Sequence, residues 1–109
     1  MVHSNAIRFV SPTPLNFDAL PHSLSPFIPT SVSAKQLNYG QGEGQIQVED
    51  CVWGIYVDFD REHAYKIQFE EGTLSLPQFI RHIELIKDAA ESFFKVSFKV
   101  EIIGCWVEE

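Results

Sequence analysis

LSLPQFIRHIELIKDAAESFF, residues 74–94, carries the strongest local signal in the chain. Ser75 precedes Leu76, Pro77 and Gln78: a serine N-cap, a proline in the first turn, and a glutamine where a capping box needs it. Leu74 before the cap and Phe79 at the fourth helical position form the pair of a hydrophobic staple. Leu76, Phe79, Ile80, Ile83, Ile86, Ala90 and Phe93 or Phe94 then recur at helical spacing, with Arg81, Glu84, Lys87, Asp88 and Glu91 facing away. The spacing predicts one amphipathic helix ending near Phe94 or Lys95. His82 lies beside the apolar stripe and reads as a partly exposed surface histidine.

On both sides of this helix the period changes to two. From Gln45 to Phe59, Ile46 and Val48 hold one parity and Cys51, Trp53, Ile55, Val57 and Phe59 hold the other. A strand cannot change parity without an interruption, which places a bulge or a break at Glu49–Asp50. Ala64 to Phe69 sets Tyr65, Ile67 and Phe69 against Lys66, Gln68 and Glu70, and residues 60–63 before it fit a hairpin connection. After the helix, Val96, Phe98, Val100 and Ile102 alternate inward with Lys99 and Glu101 outward, and Gly104 marks a further bulge. Gly40, Gly42 and Gly44 make a turn and not a phosphate loop, since no GxxxxGK pattern follows.

The expected fold is therefore α+β. It is a mainly antiparallel sheet of about 4 strands in core order β-β-α-β, with the amphipathic helix packed on one face. Trp53 and Trp106 are expected to fall near each other. Tyr56 or Trp106 on the uncovered face would call for a cover from an arm or a second copy.

Ahead of this domain lies a Pro-rich stretch. Five of the six prolines fall between Pro12 and Pro29, which excludes an ordinary helix or inner strand there. Leu15, Phe17, Leu20, Leu24, Phe27 and Ile28 recur through it, as pegs for an extended arm. Residues 1–37 are thus expected to be an N-terminal arm, with a short strand at 6–10, and residues 38–109 an acidic α+β domain.

The 109 residues carry a formal charge of -7, concentrated in residues 38–109. Such a body repels phosphate, so direct nucleic-acid binding is not expected, nor is a polybasic membrane contact. No run approaches the roughly 20 apolar residues of a membrane helix, and no signal-peptide pattern opens the chain, so a cytoplasmic location is expected. Cys51 and Cys105 each neighbour a tryptophan in an apolar segment and read as buried free thiols.

Asp58, Asp60 and His63 form the one arrangement that invites a metal. Two acids at i and i+2 with a histidine across a turn would suit Mn²⁺, Fe²⁺ or Zn²⁺ in a small enzyme. No second cluster supports them, and neither a cofactor nor a catalytic residue is expected. The preferred reading is a small acidic protein-binding or regulatory module, in the manner of an inhibitor or immunity-type protein that blocks a basic partner. Its expected contacts are Glu49, Asp50, Asp58, Asp60, Glu62, Glu70 and Glu71, with Phe17 and Phe27 from the arm. The structural alternative is a homodimer or assembly component joined through the arm.

Overall fold

The computed structural model describes residues 2–14, 24–40, 43–58 and 63–107, with backbone alone at 2–5, 25, 38–40 and 104–107. Six strands and one long helix follow the order β1 (Val2–Val10), a 3-10 turn (Ser25–Phe27), β2 (Ala34–Gly40), β3 (Glu43–Val48), β4 (Cys51–Val57), β5 (Ala64–Glu71), α1 (Leu76–Phe94) and β6 (Lys99–Val107). The strands make one antiparallel sheet in the order β2-β3-β4-β5-β1-β6.

The α+β class and the single helix packed on the sheet agree with the sequence. The core order β-β-α-β recurs as β4, β5, α1 and β6, but the strand count of about four does not hold. The two additional strands are β1, longer than the 6–10 segment expected, and β2, which has no alternating apolar signal of its own. Residues 2–10 are not part of an arm: β1 lies inside the sheet, pairing Phe9 with Tyr65 on one side and with Val100 on the other. The chain therefore leaves β5, crosses as α1 and returns as β6 on the far side of β1. A boundary at residue 37 would divide one sheet in two.

The helix begins as its cap predicts. Ser75 Oγ accepts from the Gln78 N–H at 3.3 Å, and Gln78 Oε1 accepts from the Ser75 N–H at 3.0 Å. Leu74 and Phe79 both enter the core. The helix ends on Lys95 in the left-handed region, φ 57°, whose N–H donates to Glu91 O. Replacing the cap, Ser75→Ala, is expected to cost about 1 kcal/mol in chemical denaturation, with little change of slope.

The buried face of α1 is rotated from the expected stripe. Phe79, His82, Ile83, Ile86, Ala89 and Ala90 are buried, while Leu76 and Ile80 are 42% and 50% exposed. His82 is not a surface residue at all: it is fully buried. Between helix and sheet, Trp53 meets Phe69 and Phe79 at ring separations of 5.5 and 6.0 Å, and Tyr65 stacks on Phe94. From the Pro-rich segment, Leu24 and Ile28 are buried in this same core, and Phe27 sits edge-on to Phe93. Those pegs hold the segment to its own body. Leu15, Phe17 and Leu20 lie outside the described residues.

Glu49–Asp50 is a break between strands, as the parity change requires. Val48 pairs with Cys51 across a two-residue hairpin turn, with Glu49 at φ 56°. Val100 and Ile102 alternate as predicted yet remain 37% and 69% exposed, because β6 is an edge strand beyond the helix. Trp106 sits on β6 opposite His3, three strand spacings from β4 or about 14 Å, so the two tryptophans do not share a strand pair.

Candidate functional site

The sheet face away from α1 is polar. One rung crosses five strands: Glu43, Tyr56, Lys66, Arg8 and Glu101 stand side by side in register. Tyr56 does lie on this open face, but its hydroxyl donates to Glu70, and Gln45 Nε2 donates to the other oxygen of Glu70 at 2.7 Å. Gly54 makes room for this cluster, since a Cβ there would collide with Glu70 Oε1 and the Tyr56 ring. Burial first, then the hydrogen bond to Glu70 and the charges of Glu70 and Glu43, push the Tyr56 phenol up to about 12. The Tyr56 hydroxyl is thus satisfied by Glu70 on this face.

The candidate acids divide between two ends of the sheet. Glu49 and Asp50 form the β3–β4 turn, and Glu70 and Glu71 end β5 beside it, where Glu71 pairs with Val52. An extra residue in β5 between the Val52 and Trp53 pairings interrupts strict alternation there. Gly72, at φ 119°, lets the chain pass Cys51 and the Asp50 carbonyl, which a Cβ would meet at 2.8 Å. Burial, and then the Asp50 and Glu49 charges, push the Cys51 thiol up to about 11. Cys51 is a free, buried thiol.

Asp58 lies at the opposite end of β4, roughly 20 Å away at strand rise. It is 6% exposed and accepts from Arg8 Nε at 2.5 Å, while Arg8 also reaches Glu101 at 3.2 Å. Its expected role as an exposed contact gives way to an internal ion pair. Here β1 delivers a cation to an acid that alternation had placed on the polar face. His63, half-buried at φ 56°, uses its carbonyl to accept from the Ser11 N–H at 2.7 Å. Asp60 and Glu62 lie outside the described residues, as does Phe17, while Phe27 is 43% exposed. Among the described residues, no three His, Cys, Asp or Glu side chains are grouped to hold a metal. No helix among the described residues is long and apolar enough to cross a membrane. A shallow hollow of about 240 Å³ at Val10, Ser11, Pro12, Ser97 and Lys99 brings one charged group, Lys99.

The acidic end continues inward through a chain of polar contacts that sequence reasoning missed. Trp53 Nε1 donates to His82 Nδ1 at 3.1 Å, His82 Nε2 meets Glu49 Oε1 at 2.9 Å, and Arg81 Nη2 reaches the same oxygen at 2.6 Å. An indole N–H only donates, so Nδ1 must be the bare nitrogen and Nε2 carries the proton. His82 is thus held as one neutral tautomer with both nitrogens used. The His82 hydrogen bond, and next that of Arg81, hold the Glu49 carboxyl below its ordinary value. A carboxyl lowered on folding adds stability above its unfolded value, and that stability is lost as pH falls through the folded one.

Glu43, also missed, stands at the far end of the β3–β4 hairpin from the Glu49–Asp50 turn, because it pairs with Tyr56 five residues beyond Cys51. Its only sequence signal was its position just after the Gly40–Gly42 turn. In comparisons with protein-family models, curated proteins and solved structures, the chain matches none.

Proposed function

We propose that the chain is a small protein-binding module of regulatory or inhibitory type, presenting the acidic end of its sheet to a basic protein. The observation that carries this reading is the convergence of the Glu49–Asp50 turn with Glu70 and Glu71 at one sheet end. Glu49 is already matched by Arg81, which leaves Asp50 and Glu71 as exposed partner-facing charges beside the tyrosine-bound Glu70. Such a surface steers a basic partner at long range and sets register on contact. Pairing through an exchanged arm is less favoured, because Leu24 and Ile28 are buried against their own chain.

The test is affinity capture with the full chain and with a triple variant, Asp50→Asn, Glu70→Gln and Glu71→Gln, each at low and high salt. The expected result is one basic protein recovered near stoichiometrically by the parent, weakened by salt and at least about tenfold weaker with the variant. A partner retained equally by both proteins, or none bound in a salt-dependent way, overturns the proposal.

A further inference from the structure

The Trp53–His82–Glu49 chain, buried at its two rings, has a second consequence, which lies in where a proton can go. Nε2 of His82 already bears one, and Glu49 stays ionised because His82 and Arg81 both favour its charged form. A proton taken up by the ring in acid therefore has one destination, Nδ1. There it would place an N–H against the N–H of Trp53, two donors at 3.1 Å with no acceptor between them. The bond to Glu49 would meanwhile become ionic and strengthen. The imidazolium would keep Glu49 and lose Trp53.

We propose that His82 is a proton-operated latch, which binds helix α1 to the indole of Trp53 when neutral and releases that indole when protonated. The groups around the ring set the response. From β4 comes Trp53, a donor without charge; from the β3–β4 turn comes Glu49, with Asp50 and Cys51 following it; from α1 itself comes Arg81, occupied by Glu49. Trp53 and His82 are fully buried, so the freed indole N–H must admit water or turn. The helix-to-sheet contact is opened locally, next to the acidic end. The added positive charge would also weaken the field of that end, a consequence that rests on the acidic-surface reading, whereas the latch itself does not.

The test uses the intact chain without a partner. The ¹⁵N resonances of His82 and the indole N–H of Trp53 are followed by NMR from about pH 8 to about pH 4, the range in which histidine commonly changes charge. The expected result is protonation at Nδ1, a Trp53 indole signal that moves in the same titration, and roughly tenfold faster indole exchange, equivalent to losing one hydrogen bond. Glu49→Gln takes away the carboxylate that favours the charged ring, so the coupled change of ring and indole should shift to lower pH, and an indole change that persists in that variant while Nδ1 stays bare would overturn the latch. So would an Nδ1 that stays bare until global unfolding, or a His82 that titrates while the Trp53 indole does not move. Binding of a basic partner is scored separately, so an intact latch with no partner rejects the acidic-surface reading alone.

Discussion

A chain lacking residues 1–11 should not fold. Although this segment precedes the Pro-rich stretch, it supplies the strand that joins β6 to the rest of the sheet: β6 pairs with β1, and β1 with β5. Removing it also takes Ile7 and Phe9, 2% and 0% exposed, out of the core, along with the Phe9–Phe98 ring contact at 5.9 Å. Arg8 goes too, leaving the buried Asp58 carboxylate without that cation. The loss of a buried phenylalanine alone costs about 3–5 kcal/mol, and a whole domain of this size is stable by about 5–15 kcal/mol. The shortened protein is expected to show no cooperative transition by circular dichroism and no dispersed amide spectrum. A cooperative unfolding curve from that protein would mean that β1 is dispensable and that its place in the sheet is wrong.

That outcome separates what could be read along the chain from what could not. The helix was legible because its start is written in four adjacent residues, Ser75 to Gln78, and its chemistry is satisfied within one turn. The hairpin strands β4 and β5 were legible because alternation is local. β1 was only half legible: VHSNAIRFV alternates cleanly over Ile7 and Phe9 alone, and its neighbours are about 55 and about 95 residues away in the chain. No local pattern specifies such partners. β2, AKQLNYG, is an edge strand whose one clear apolar alternation is missing, so nothing marked it.

The candidate site suffered in the same way. Asp58 could be assigned to the polar face by parity with Tyr56, but the arrival of Arg8 is a tertiary event. His82 was misplaced for a different reason: ranking positions by hydropathy removed it from the stripe. Spacing alone would have kept it, since Phe79, His82, Ile83, Ile86, Ala89 and Ala90 fall at steps of three and four along one helix face. A histidine completing an apolar face, with a tryptophan in the facing strand, was the signal available. The acidic end needed the sheet register before Glu49, Asp50, Glu70 and Glu71 could be placed at one end and Glu43 and Asp58 at the other.

Trp53 is where these two levels meet, and its replacement should produce the largest effect of any single substitution. The ring is fully buried, packs on Phe69 and Phe79, and gives its one hydrogen bond to His82. Trp53→Ala removes the packing and the donor together and should cost about 3–5 kcal/mol, a shift in Tm of more than 10 °C at roughly 4–8 °C per kcal/mol. Trp53→Phe restores most of the packing and leaves Nδ1 of His82 buried without a donor, so its cost isolates the polar contact at about 1–3 kcal/mol. Adding His82→Leu to Trp53→Phe removes the stranded acceptor. The double variant should be less destabilised than the sum of the two single changes, by about 1 kcal/mol or more. Simple additivity in that cycle, measured by denaturant unfolding, would show that the two rings pack side by side without a hydrogen bond that matters, and the polar chain from Trp53 to Glu49 would lose its energetic basis.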